Sequence, residues 1–100
     1  MIARMATYTY TGDAGELGER AERGILPVLR EQPGFKAYSV AATDDEILSL
    51  TVWDTRENAE AGNAAVADWV AANMAGELTN PEIRFAELLF STTLGVSTLG

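Results

Sequence analysis

The sequence predicts an α+β fold in which strands and helices follow one another in the order βαββαβ. Ile2 to Tyr10 is rich in strand-forming residues, and an amphipathic helical pattern follows it. Phe35 to Thr43 and Ile47 to Trp53 then form two strand-like segments around the acidic turn Asp44-Asp45. A second helix and a fourth strand complete the chain of 100 residues, the usual size of one domain. This order predicts a four-stranded antiparallel sheet with both helices on one face.

The first helix is predicted to begin after Asp13, an N-cap residue with Glu16 three positions later. Its apolar stripe consists of Leu17, Ala21, Ile25, Val28 and Leu29. Pro27 removes one backbone donor and is expected to kink or break the last turns, with a bend near Arg23-Gly24. The helix is expected to end before Pro33.

The second helix is predicted to begin at Asp54 or Thr55 and to end at Gly76. Its central stripe consists of Ala59, Gly62, Val66, Trp69, Val70 and Asn73. Leu78 to Pro81 is predicted as a loop, and Glu82 to Ser91 as the fourth strand. We therefore expect one domain over residues 1–91 and a C-terminal tail over residues 92–100.

The composition excludes several kinds of chemistry. The chain has no cysteine and no histidine, so it lacks thiolates, the usual neutral-pH base and the commonest zinc and haem ligands. The acids of the Asp44-Asp45-Glu46 turn do not converge on one ion, and no metal site is predicted. A net charge of −8 disfavours nucleic acid. No apolar run is long enough to cross a membrane, and a cytoplasmic location is expected.

The third strand is apolar or small on both sides. Leu48, Leu50 and Val52 point one way, and Ile47, Ser49, Thr51 and Trp53 point the other way. Both faces of the sheet are therefore expected to be covered, one by the helices. The other face needs a partner, and the sequence predicts a homodimer through the sheet faces.

Two segments give the chain a family resemblance. QPGF opens the second strand at Gln32, and LTVWDTRENAEA runs from Leu50 into the second helix. With the element order, these segments resemble the antibiotic-biosynthesis-monooxygenase-like group of the dimeric α+β barrel superfamily over nearly the whole chain. The resemblance implies a ferredoxin-like sheet, a homodimer with the two sheets face to face, and a cavity between each sheet and its helices. Some members oxidise polyketide-type aromatics with oxygen and neither metal nor flavin, some degrade haem, and others have different roles.

The haem-degrading branch can be tested against this chain residue by residue. That branch uses an Asn on the first strand, where this chain has Ala6-Thr7-Tyr8. It uses a Trp near the position of Ala61-Gly62 and a His near the position of Ala72-Asn73. All three residues are missing, so the resemblance argues against haem degradation.

Five residues are candidates for a substrate pocket. Trp69 and Asn73 lie one turn apart on the second helix and could supply a stacking wall and an amide, although a core Trp and a helix-end Asn are the commoner roles. Thr7 and Thr51 are small hydroxyls that could line a cavity, and they are also ordinary strand residues. Tyr38 could orient a ligand through its phenol or simply pack.

Other polar residues receive structural or alternative assignments. Arg4 and Arg84 lie on strands expected to be covered, and a buried Arg needs an anion, either Glu87 or a substrate carboxylate. Asn63 is expected at the rim or in solvent. Trp53, at the end of the third strand, is expected to be structural.

The sequence leaves two functions open. The first is a cofactor-independent monooxygenase acting on a small aromatic or polyketide-like substrate, with no cofactor expected. Without His or Cys, substrate deprotonation would fall to a Tyr, to an acid of raised pKa, or to water. The alternative is a non-catalytic homodimer that binds a small apolar ligand or a protein partner.

Overall fold

The computed structural model describes residues 1–99 and confirms the βαββαβ order. The elements are β1 (Ile2–Tyr10), α1 (Ala14–Arg30), β2 (Phe35–Ala42), β3 (Glu46–Trp53), α2 (Arg56–Asn73) and β4 (Leu78–Glu87). The strands form one antiparallel sheet in the order β2-β3-β1-β4. Both helices bury apolar side chains against one face of this sheet. Neither they nor any other helix within residues 1–99 is long and apolar enough to span a membrane.

Helix α1 begins as the sequence predicts. The Asp13 carboxylate accepts a hydrogen bond of 2.9 Å from the backbone N–H of Glu16, which satisfies one free donor of the first turn. The prediction that Pro27 could break the helix is wrong, because α1 continues through it to Arg30. Pro27 removes only one backbone bond, and the four buried residues of the stripe hold the helix against the sheet. They are Leu17, Ala21, Ile25 and Leu29.

Helix α2 begins at Thr55, whose hydroxyl accepts a hydrogen bond from the backbone N–H of Asn58. The predicted end at Gly76 is wrong, because the helix stops at Asn73. Met74 is fully buried and leaves the helical conformation. Its carbonyl accepts hydrogen bonds of 3.0 Å from the N–H groups of Glu77 and Leu78, which turns the chain directly into β4.

Strand β4 is displaced by four residues from its prediction. Leu78 to Pro81 belongs to the strand and not to a loop, since Leu78 pairs with Tyr10 on β1. The pairing is irregular near Asn80, which has a positive φ of 51°, and Pro81 follows at this irregularity. Because β4 is an edge strand, a proline can be accommodated there. This tolerance explains why the Pro81 signal for a loop was misleading.

The strand also ends earlier than predicted, at Glu87. Beyond it, Ser91 and Val96 exchange backbone hydrogen bonds of 2.9 and 3.1 Å and close a small turn. Leu89 and Phe90 are about two-thirds exposed. The division into a domain over residues 1–91 and a tail stays a prediction.

Two tryptophans pack directly on helix glycines. The Trp53 ring lies so close to α2 that a Cβ at Gly62 would come within 2.2 Å of it. A Cβ at Gly24 on α1 would come within 2.0 Å of the Trp69 ring. Trp53 is fully buried and its indole N–H donates to the Thr51 hydroxyl at 2.8 Å, so it has the structural role expected. These contacts set how closely the helices approach the sheet and each other.

The opposite face of the sheet carries exposed apolar side chains. Met5 is 50% exposed, and Leu48 and Leu50 are each 38% exposed. Their strand positions alternate with the residues that face the helices. One chain therefore leaves this part of the opposite face uncovered, whereas Ala3 and Val52, farther along the same face, are buried.

Replacing Gly62 with Ala should lower the free energy of unfolding by about 2 kcal/mol, because the new methyl group overlaps the rigid, buried Trp53 ring. Urea denaturation followed by circular dichroism measures this change. The matched control is Gly18→Ala on α1, where a Cβ would meet no atom within 4 Å. That variant should instead gain up to about 1 kcal/mol from the better helix propensity of alanine. Equal effects at the two positions would contradict the tryptophan contact.

Candidate functional site

A small apolar cavity lies between the sheet and the two helices. Its volume is about 20 Å³, which is enough for about one water molecule. The apolar lining includes Leu17, Ala21 and Ile25 from α1, Val66 and Val70 from α2, and Ile47 from β3. Three residues that carry hydroxyl groups also line it, namely Tyr8, Tyr38 and Ser49. The lining therefore combines apolar side chains with a few polar residues, as the linings of small-molecule sites do, while the cavity itself has room for only about one water molecule.

An open groove between α1 and β2 adjoins the cavity. The groove has a volume of about 470 Å³ and shares Gly18, Tyr38, Val40 and Ile47 with the cavity. Glu19 and Glu22 lie along its lining. A molecule that reached the cavity by this path would therefore pass an acidic outer rim and then an apolar interior.

A buried arginine lies directly behind the cavity wall. The Arg4 side chain is 1% exposed and makes three hydrogen bonds to neutral groups. Its Nε donates to Asn63 Oδ1 at 2.8 Å, and its two terminal nitrogens donate to Ser49 Oγ at 3.1 Å and the Tyr8 hydroxyl at 3.2 Å. No carboxylate within residues 1–99 forms an ion pair with it. The positive charge of Arg4 is thus buried and uncompensated.

Alternation along the strands explains how these groups meet. On β1, residues two positions apart share a face, so Arg4 and Tyr8 both point toward the helices. Ser49 lies on the same face of the neighbouring strand β3, where it pairs with Ala6. Asn63 reaches the guanidinium from α2 and is half-buried. The sheet therefore supplies two acceptors and the helix supplies the third.

Of the two partners predicted for the strand arginines, Glu87 is wrong, and a substrate carboxylate stays a prediction. Glu87 pairs with Ile2 on the sheet and makes no ion pair with Arg4 or Arg84. Arg84 is exposed and pairs with Met5 on the uncovered face. Asn63, expected at the rim or in solvent, instead holds Arg4 in place. The only sequence signal for the cluster around Arg4 was the arginine itself, a charged residue on a strand expected to be covered on both faces.

Tyr38 lies where the cavity meets the groove, and its hydroxyl makes no hydrogen bond to another group within residues 1–99. Burial raises the pKa of Tyr38 to about 12 from its ordinary value of 10.0. The Arg4 charge lowers this pKa and Tyr8 raises it, and both effects are smaller than that of burial. Near neutral pH the phenol therefore keeps its proton, so Tyr38 can donate a hydrogen bond but is a poor base.

Of the five predicted pocket residues, the structure places Tyr38 in the cavity lining. Thr51 is buried beside it on β3, but its hydroxyl accepts the hydrogen bond from the Trp53 indole N–H. Thr7 lies on the uncovered face of the sheet, near Met5. Roles for Thr7 and Thr51 in binding stay predictions.

Trp69 and Asn73 lie together, but away from this cavity. They border a shallow surface groove with Arg20, Arg23 and Gly24 of α1. The Asn73 amide donates to the Trp69 carbonyl at 2.9 Å, a helix-end contact to the backbone. A contact between either residue and a substrate stays a prediction, and the cavity wall is built from other side chains.

Comparison with solved structures supports the architecture of the chain. Neither a protein-family model nor a curated protein matches the chain. Among solved structures, SnoaB from Streptomyces nogalater, described as a cofactor-independent oxygenase, is 17% identical with a TM-score of 0.70, over 91% of this chain and 95% of that one. The ActVA-Orf6 monooxygenase of Streptomyces coelicolor, in complex with nanaomycin D, is 21% identical with a TM-score of 0.71, over 90% and 88%. NE2512 from Nitrosomonas europaea, a protein of unknown function, is 19% identical with a TM-score of 0.73, over 91% of each chain.

At these identities the likeness shows the fold. The chain has the ferredoxin-like α+β fold of the antibiotic-biosynthesis monooxygenases, as its sequence resemblance implies.

Replacing Tyr38 with Phe should change how stability depends on pH. The folded-state pKa of Tyr38 is raised. Its contribution to the free energy of unfolding is therefore fully present below about pH 10 and is lost as the pH rises toward about 12. Across this pH range the free energy of unfolding of the wild type should fall by about 2 kcal/mol more than that of Tyr38→Phe. Urea unfolding at several alkaline pH values measures the difference. Tyr10→Phe, which removes a phenol bonded to the carbonyls of Thr43 and Asp44, should keep the wild-type decline.

Proposed function

We propose that the chain binds a small phenolic aromatic molecule where this cavity meets the groove, and oxidises it with molecular oxygen, as a cofactor-independent monooxygenase. The observation that carries the proposal is the buried charge of Arg4, which has three neutral partners and no carboxylate within residues 1–99. A buried charge without a counter-ion favours an anion placed near it. A phenolate has an apolar ring and a negatively charged oxygen. The ring suits the apolar lining, and the oxygen is attracted by the Arg4 charge behind the cavity wall.

The hydroxyls that line the cavity give the substrate its orientation. Tyr8 and Ser49 lie between the cavity and Arg4, since each lines the cavity and accepts a hydrogen bond from the guanidinium. Because each hydroxyl accepts from Arg4, its own proton can point toward a phenolate oxygen. Tyr38 can donate from the other side. The substrate would thus place its oxygen toward β1 and β3 and its ring against the helices.

The chemistry requires that the substrate lose a proton before it reacts. A phenolate transfers electrons to oxygen more readily than a phenol does. Oxidation of 1-naphthol to 1,4-naphthoquinone then balances as one phenol and one O₂ giving one quinone and one water. No carboxylate lines the cavity, so the phenolic proton would leave through water in the groove. The description of SnoaB as a cofactor-independent oxygenase supports this reaction class.

Binding without turnover is the second candidate, and one observation favours it. The phenol of Tyr38 keeps its proton because its pKa is about 12, so the cavity lining offers no strong base. A protein of this kind would bind a small apolar ligand and leave it unchanged. Oxygen uptake separates the two candidates, because only the enzyme consumes one O₂ for each quinone formed.

Arg4→Met should weaken the binding of 1-naphthol at alkaline pH, where the ligand is ionised, by about tenfold or more. The reason is that the guanidinium favours the naphtholate over the neutral phenol. Fluorescence titration of 1-naphthol across pH measures both forms, because they emit differently. Arg30→Met, at an exposed position in the last turn of α1, is the matched control and should bind as wild type does.

Two results would contradict the proposal. Wild type that prefers neutral naphthol at every pH would remove the role of Arg4. If the wild type bound naphtholate but consumed no more oxygen than buffer does, the enzyme proposal would be contradicted and the non-catalytic binding protein would be favoured. Thermal unfolding of Arg4→Met shows whether the variant is folded.

We also propose that two copies pair through the uncovered sheet face. Met5, Leu48 and Leu50 together form an exposed apolar surface on adjacent strands β1 and β3. Surfaces of this kind on a small domain are typical of protein interfaces. A second copy is the partner that the sequence resemblance implies.

Leu50→Asp should convert the dimer to a monomer, because it places a charge in the centre of the apolar surface. Light scattering coupled to size-exclusion chromatography measures the mass. Ile83→Asp is the matched control, since Ile83 is 37% exposed but pairs with Ala6 on the helix side of the sheet. A wild-type chain that is monomeric at all concentrations would overturn the pairing.

A further inference from the structure

One helix glycine has no explanation in packing or backbone conformation. Gly24 and Gly62 lie directly against tryptophan rings, and a Cβ at Gly15 would approach the Asp13 carboxylate to 3.2 Å. A Cβ at Gly18 would meet no atom within 4 Å, and Gly18 has no left-handed φ. It lies well inside α1, which runs from Ala14 to Arg30.

A glycine at such a position is costly to the fold. In a helix interior, glycine is about 1 kcal/mol less favourable than alanine, because the unfolded chain loses more conformational freedom. The folded structure has room for a larger residue at Gly18. The folded protein therefore gains nothing from this glycine in its own packing, which points to a use that needs the space.

The space lies at the junction between the cavity and the groove. Gly18 lines both, and it faces Tyr38, Val40 and Ile47, which also line both. The enclosed cavity of about 20 Å³ is too small for an aromatic ring, whereas the adjoining groove of about 470 Å³ is not. An aromatic molecule that reaches the cavity must therefore occupy the junction, and a side chain at position 18 would stand in its way.

We infer that Gly18 determines which ligands this chain accepts: its missing side chain leaves space between α1 and Tyr38 in which a flat apolar ring binds at the junction of the cavity and the groove. The inference rests on the proposed function only in taking this junction as the ligand site. Gly18 controls the size of the ring that fits at this junction, and Tyr38 forms the opposite side of the space.

Naphthalene is a suitable probe for this junction. It has no ionisable group, so Arg4 does not affect its charge state and no oxidation of a phenol is involved. It is neutral and is therefore not repelled by Glu19 and Glu22 in the groove. Binding to the full chain is measured by ligand fluorescence and by the chemical-shift changes of the backbone amides of Gly18 and Tyr38.

The test compares three variants. Gly18→Leu should bind naphthalene at least about tenfold more weakly than wild type, because the leucine side chain fills the junction. Gly18→Ala should show a smaller loss and should be more stable than wild type. Ala67→Leu adds the same leucine at an exposed position of α2 and should bind as wild type does.

Two results would overturn the inference. Gly18→Leu could bind naphthalene as tightly as wild type while remaining folded in circular dichroism, or wild type could fail to bind naphthalene. Failure of the proposed function has a different signature. In that case naphthalene binding depends on Gly18, but 1-naphthol shows no dependence on Arg4 and no oxygen uptake.

Discussion

The buried guanidinium of Arg4 joins the parts of this structure that form the cavity. Removing such a charge from water costs on the order of several kcal/mol. Its hydrogen bonds to Tyr8, Ser49 and Asn63 each return about 1.5–3 kcal/mol, because the donor is charged. Those acceptors lie on β1, β3 and α2, so the same bonds that offset the desolvation fix the second helix relative to the sheet. The charge itself stays uncompensated, and it makes the nearby cavity favourable for an anion.

Glycines set the distances around this cavity in two different ways. Gly24 and Gly62 are required by packing, because tryptophan rings occupy the space where their side chains would lie. They bring α1 and α2 together and bring α2 onto β3. Gly18 leaves its space open at the point where the cavity meets the groove. The first kind of glycine allows close packing of the core, and the second leaves space open beside it.

The acid–base character of the site follows from composition and burial together. The chain has no histidine, so the commonest neutral-pH base is missing. Burial keeps Tyr38 protonated, and the acids Glu19 and Glu22 lie in the groove rather than in the cavity. Such a site can stabilise a substrate anion and donate hydrogen bonds to it. It is less suited to removing the proton with a protein base, which makes water the natural acceptor.

The sequence by itself determined the element order, the bounds of β1, the Asp13 cap and the hairpin, because local propensity, apolar period and turn chemistry agree in those segments. It misplaced the end of α2 and the start of β4, where the buried Met74 and the pairing of Leu78 with Tyr10 outweigh the local signals. Only the tertiary structure decided the site. Contacts between residues as distant in sequence as Arg4 and Asn63 depend on register and helix placement, which no local pattern encodes.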